Sequence, residues 1–179
     1  MLSESIKNNS SQLCLACGLC CAGVLHVLAD VKPNEIESAQ ALGLTLVRKG
    51  NALRFRLPCP LYQEQRCSNY PLRLSVCRGY RCALLKKYLA GEMRFEAGMQ
   101  IMQQAKKLFA ALLDQLPLGH SFIQLQTELH HGLDSAELRQ ENATFILTFV
   151  KLRYHLKKHF KKPKQNKTEI PKSVLKAPF

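Results

Sequence analysis

The sequence predicts an α+β fold: a small cysteine-rich N-terminal region with a short β-hairpin, then a helical C-terminal half. Three observations predict it. All eight cysteines of the 179-residue chain fall in its first 82 residues. Around a Gly50-Asn51 turn, Leu53, Phe55 and Leu57 alternate with Arg54 and Arg56, the period of a strand with one buried face. Beyond Glu92, apolar residues return every three or four positions, the period of amphipathic helices.

Taken in order, four stretches are expected: a flexible N-terminus (1–12), a cysteine cluster (13–90), a helical region (91–160) and a basic disordered tail (161–179). Residues 1–12 are polar. The run 14–21 reads as a loop or tight knuckle, with Gly18 and Gly23 supplying backbone freedom. Val24–Ala29 is apolar enough for a short buried strand. Pro33 opens a short helix that closes at Gly43. Leu44–Leu57 is the hairpin, and 59–82 reads as loops with one short helix starting near Pro71. Cys82–Ala90 and Glu92–Leu116 read as helices, the second lined by Met102, Ala105, Leu108, Phe109 and Leu112. Met99 and Phe95 on that helix are expected to serve core or partner-helix packing. A third helix starts at an Asp134 cap, with Glu137 completing a box-like pair, and runs to about Phe160. Lys161–Phe179 has three prolines and little to bury.

The net charge of +13 is uneven. From Lys151 onward ten basic residues face one acid, Glu169, a net +9 that leaves only +4 for residues 1–150. That basic stretch suits contact with a polyanion over residues 151–176, while the helices 92–116 and 135–160 offer faces for a protein partner. The N-terminus lacks the apolar run of a signal peptide. No stretch reaches the roughly 20 apolar residues that span a bilayer. A cytoplasmic protein without a transmembrane segment is expected. There is no phosphate-binding glycine loop, no G-x-S-x-G and no Ser/His/Asp signature.

The cysteines carry the chemistry. In a chain without an export signal, thiols stay reduced, and dense reduced thiols at short spacing are metal ligands more often than disulfides. Cys14, Cys17, Cys20 and Cys21 form a C-x-x-C-x-x-C-C run, and Cys59, Cys67, Cys77 and Cys82 follow at wider separations. Two cysteines with two residues between them can place both sulfurs on one tetrahedral ion. Neighbouring side chains diverge, so Cys20 and Cys21 are expected on separate ions, unless one bridges. The later four would reach the centre from different loops, making the N-terminal region metal-stabilised. Arg78 and Arg81 flank Cys77 and Cys82; a guanidinium there would either lower a thiol pKa or do no more than pair with a carboxylate or face solvent.

Cys14-x-x-Cys17-x-x-Cys20-Cys21, then Cys59-Pro60 and Cys67-x-x-Tyr70, then Arg73-x-x-x-Cys77-Arg78-x-Tyr80-x-Cys82 together resemble the YkgJ-like CxxCxxCC family of zinc- or iron-chelating domains. The resemblance covers residues 14–82 and departs at Leu74, where the family has proline, and at Tyr80, where it has phenylalanine. It implies metal chelation by all eight cysteines. Two Cys₄ zinc sites would use every thiolate and leave no open position, the arithmetic of a structural site. Iron or a [4Fe–4S] cluster accepts the same ligands. A flagellin lysine methylase carries a similar cysteine set, which implies an iron-dependent or iron–sulfur enzyme or electron carrier as the alternative. Tyr62, Tyr70 and Tyr80 stand near the cysteines in sequence, but no His or carboxylate pair does. His26, on an apolar run, reads as a hydrogen-bonded core histidine. His155 and His159, among lysines, read as part of a solvated basic face. His130-His131 takes no role.

Overall fold

The computed structural model describes residues 4–116, 122–124 and 143–161. The expected Asp134 cap, Glu137, His130-His131 and the tail beyond Lys161 lie outside the described residues.

The first element corrects the expectation of a loop over the first half of the cysteine run; residues 19–23, with Cys20 and Cys21, do form turns. Helix α1 spans Glu4–Cys17 and carries Cys14 and Cys17 in its last turn. No Pro or Gly interrupts those residues, and Leu13, 1% exposed, anchors the helix. Gly18 ends it with φ +64°. α1 lies against α5 (Phe95–Leu113) so closely that a Cβ on Gly98 would come 2.8 Å from Leu13 Cδ1.

After the cysteine run comes β1 (Leu28–Asp30), later than the expected Val24–Ala29 strand. Val24 and Leu25 are instead drawn back by amide bonds to the Leu19 carbonyl and are buried there. A 3₁₀ turn at Pro33–Glu35 leads into α2 (Ile36–Ala41), which stops at Gly43 with φ +69°, as proposed from Pro33 and Gly43. The hairpin forms β2 (Leu46–Lys49) and β3 (Ala52–Arg56) about Gly50 and Asn51. β1 joins on the other side of β3, giving the antiparallel order β1-β3-β2, with Phe55 opposite both Ala29 and Leu46. Phe55, Leu57, Val31, Ala39, Leu44 and Leu74 bury one another under this sheet.

Residues 59–82 hold two small elements. β4 (Tyr62–Gln63) and β5 (Arg66–Cys67) pair through a turn in which Glu64 and Gln65 both have positive φ. No Asn-Gly or Asp-Gly pair announces that turn, so it escapes a sequence rule. α3 (Ser75–Gly79) starts four residues after Pro71, the expected start. Its first amide and the Ser75 hydroxyl both donate to the Glu35 carboxylate at 2.7 Å.

α4 (Ala83–Leu89) and α5 follow as expected, with Cys82 capping α4. The last helix among the described residues, α6 (Ala143–His159), buries Phe145, Phe149, Leu152 and Leu156, a three- and four-residue rhythm. It packs along α5, whose Met102, Ala105 and Leu112 face it in a common core. Lys157 and Lys158 are exposed, but His155 is not on the solvated face expected for it. Its Nε2 lies 2.8 Å from the Ile101 carbonyl of α5, so it joins the two helices. At the end of α6, the Phe160 carbonyl accepts the amide of Ala83, fastening α6 to the start of α4. The core that includes Leu13, Cys17, Leu84 and Phe160 therefore draws on the cysteine run and the helical half together. Among the described residues no helix is long and apolar enough to cross a membrane.

Candidate metal centre

The local fold aims each thiol. Cys14 and Cys17, one helical turn apart, share a face of α1. The left-handed Gly18 then turns the chain, with amide bonds from Ala22 to Gly18 and from Gly23 to Cys20. Cys21 accepts the amide of Cys59 at 2.8 Å, which brings the Cys59 loop alongside the run. Cys67 sits on β5, Cys77 on α3 and Cys82 at the start of α4. All eight cysteines are unbridged, and all eight line one cavity of about 300 Å³.

Within that cavity they fall into two electrostatic neighbourhoods. Cys20 feels Cys17, Cys82, Cys21 and Cys14, while Cys14 and Cys17 both feel Cys82. Cys21 feels Cys67, Cys59 and Cys77 ahead of Cys17, and Cys77 feels Cys59 and Cys67. The grouping is Cys14, Cys17, Cys20 and Cys82 on one side, and Cys21, Cys59, Cys67 and Cys77 on the other. Cys20 and Cys21 part company, as the divergence of adjacent side chains requires.

Burial, and then repulsion between neighbouring sulfurs, pushes these thiols up. Cys17 and Cys21 are raised to about 12 and Cys77 to about 11. Burial likewise raises Cys14, Cys20, Cys59 and Cys82. Four buried thiolates could coexist only with cations among them. Part of that charge is built in. Arg73 opposes the rise at both Cys14 and Cys77, Arg81 at Cys14, Lys106 at Cys17 and Lys86 at Cys82. Amides assist: the Leu85 N–H donates to Cys82 Sγ at 3.4 Å, and the amides of Leu19 and Leu61 favour ionised Cys17 and Cys59.

Of the two arginines singled out by sequence, Arg81 stands near a thiol, but Arg78 acts on the Glu35 carboxylate instead. Arg73 is the cation between the two groups. Its Nε donates to the Tyr70 carbonyl at 2.8 Å and its guanidinium lies 3.5 Å from the Tyr70 ring centre, while the Tyr70 hydroxyl donates to Ser11 on α1. The Tyr70 and Arg73 positions thus clasp the Cys77 loop to the Cys14 helix. Tyr62 adjoins both Cys17 and Cys21, and Tyr80 adjoins Cys20 and Cys82. A Cβ on Gly18 would meet Tyr62 Cε2 at 2.4 Å, so Gly18 is needed for close approach as well as for its φ. Lys106, overlooked in the sequence because it is one lysine of a helix, donates to the Ala16 carbonyl at 2.9 Å and caps α1 beside Cys17. His26 packs edge-on against Tyr80 with ring centres 4.6 Å apart. Its Nε2 is buried without a hydrogen-bond partner among the described residues.

The donor set fits a thiophilic ion in identity and in grouping. Convergence is a separate matter: among the described residues, no three of His, Cys, Asp and Glu stand so that they could hold an ion with their side chains as they are. The backbone brings the thiols into one cavity, and ligation requires side-chain movement within it.

A family model described as CxxCxxCC, "Putative zinc- or iron-chelating domain", matches residues 13–105. The match runs past Cys82, where the resemblance read from the sequence stopped, through α4 and into α5 as far as Ala105. Neither a curated protein nor a solved structure matches the chain.

Proposed function

The chain belongs to the CxxCxxCC family, and from that premise we propose that it is a metal-binding module in which two ions are each held by four thiolates. Cys14, Cys17, Cys20 and Cys82 hold one; Cys21, Cys59, Cys67 and Cys77 hold the other. The observation that carries this reading is the division of eight thiols into two neighbourhoods of four. Zinc is the preferred ion. Four thiolates close a tetrahedral site, leave no position for substrate, and tie distant loops together, which is a structural role. What the chain's own residues supply is charge compensation from Arg73, Arg81, Lys86 and Lys106 and amide donors to sulfur.

Anaerobic purification with metal analysis and an absorption spectrum tests the proposal. Colourless protein with two zinc per chain is the expected result. Iron with acid-labile sulfide and a charge-transfer band in the visible would replace it with an iron–sulfur centre, and protein free of both metals would remove it. The cytoplasmic setting and a polyanion contact through the basic stretch belong to the same proposal. Exposed Lys151, Lys157, Lys158 and Lys161 at the end of α6 support the contact, which titration with a nucleic acid at two salt concentrations would test.

A further inference from the structure

Helix α6 has two apolar sides. Phe145, Phe149, Leu152 and Leu156 are buried in the core, while Leu147, Val150 and Tyr154 are 59%, 56% and 67% exposed. Spacings of three and four residues set those three side chains in one row, on the side of the helix opposite the buried one. Single exposed apolar residues are ordinary, but a row of them marks a contact surface. Of the seven large apolar residues exposed among the described residues, three stand in this row; the other four are divided between the end of α5 and separate loops. Exposed lysines share the outward side: Lys151 lies four residues after Leu147, and Lys157 and Lys158 lie three and four after Tyr154. No Asp or Glu occurs in α6, and among the described residues no carboxylate pairs with these lysines.

We infer that the outward side of α6 docks on an anionic lipid surface. The inference rests on the polyanion contact proposed above, which places a negatively charged partner at this segment, and it names that partner. A nucleic-acid backbone would engage the lysines and leave Leu147 and Val150 in water. A second copy of this chain would set lysine against lysine. An acidic protein would need a groove to receive a convex helix face. A bilayer surface needs only a plane: aliphatic side chains enter the acyl boundary, a tyrosine sits at headgroup level, and lysines meet the lipid anions. The helix lies along the surface and does not enter it, because its other side is held in the core shared with α5.

Co-sedimentation of the full chain with vesicles at about 0.15 M salt is the test. The vesicles are phosphatidylcholine, with or without one-third phosphatidylserine. Binding is expected to the mixed vesicles and not to pure phosphatidylcholine. Leu147→Ser combined with Val150→Ser should weaken it roughly tenfold or more, the loss of two partly inserted aliphatic side chains. Lys157→Gln and Lys158→Gln should each weaken it about fivefold. Leu72→Ser, at a leucine exposed to 74% away from α6, should change nothing. The chain has no tryptophan, so Tyr154→Trp supplies a single reporter whose emission should move to shorter wavelength on the mixed vesicles. Unshifted emission from sedimented protein, a Leu147/Val150 variant that sediments like the parent, or equal binding to neutral vesicles would overturn the inference. So would a dimer in gel filtration that Leu147→Ser dissolves. Binding to an oligonucleotide or to polyglutamate but to no vesicle would overturn the lipid surface and leave the polyanion contact standing. Binding to none of them would remove both.

Discussion

The two groups of thiols have the same chemistry and unequal support. Cys17 is itself part of the larger core, with Cys20 and Cys82 packed against it among Leu13, Leu84, Met102 and Phe160. Cys59 and Cys77 pack instead against the cluster under the three-stranded sheet. Among the described residues that cluster has 6 buried members against 16 in the helical core, so the second region has much less apolar burial to hold it. Its elements are also short: two-residue strands at Tyr62–Gln63 and Arg66–Cys67, and a five-residue helix at Ser75–Gly79. Elements of that size do not persist on propensity. The lesson is that a cross-link matters most where the core is smallest. The first metal site would be set into a fold that packing largely makes; the second would make its fold.

The largest effect should come from stripping metal. A structural zinc contributes on the order of 10 kcal/mol, more than so small an apolar cluster can replace. Chelation is expected to abolish hydrogen-exchange protection across residues 59–82 while α5 and α6 keep theirs. Equal loss in both regions would erase the contrast.

Next come single ligand changes. Cys77→Ser and Cys82→Ser should each lower bound metal from two ions to one, since they belong to different groups. Only Cys77→Ser should also release the Glu35–Ser75 contact, seen as lost protection of the Ser75 amide. A joint cluster spanning both groups would instead lose all metal in either variant, which metal analysis would reveal.

Gly18→Ala should cost about 1–3 kcal/mol in a denaturation midpoint, because alanine is strained at φ +64° and its methyl would strike Tyr62. This change should weaken both groups together, as Tyr62 adjoins one cysteine of each.

The smallest effects should be one-sided. Lys106→Met removes the cap on α1 and should cost about 1 kcal/mol, weakening metal retention by Cys14, Cys17, Cys20 and Cys82 alone. Glu35→Gln should loosen only the Cys77 side. Hydrogen bonds from Ser75 hold the Glu35 carboxyl below its ordinary range. A group depressed on folding stabilises above its unfolded pKa and loses that contribution as pH falls through the folded value. The gap in denaturation midpoint between the parent and Glu35→Gln should therefore be full at neutral pH and shrink under acid; a gap that grew would contradict the sign.

Local rules made much of the fold legible. Pro33 and Gly43 bound a helix because one presets φ and the other accepts a left-handed value. The hairpin follows from alternation about Gly50, and α5 from its apolar rhythm. The rules failed where tertiary contact overrides local preference. Polar residues 4–12 form a helix because Leu13 and Cys17 at its end are buried against α5. Val24 and Leu25 are apolar like a strand yet fold back onto Leu19. His155, set among lysines, is turned inward by a neighbour more than fifty residues away in the chain, Ile101.

By itself the sequence determined which sulfurs are available, eight of them, and the necessity that Cys20 and Cys21 point apart. Those properties are covalent or nearest-neighbour, and no folding is needed to read them. Only the tertiary structure decided that Cys82 belongs with Cys14 and Cys67 with Cys21, that Arg73 stands between the groups, and that Phe160 reaches back from the far helix to fasten the start of α4. The cost of closing a long loop changes only slowly with its length. Spacing therefore scarcely distinguishes one distant partner from another, and packing makes the choice.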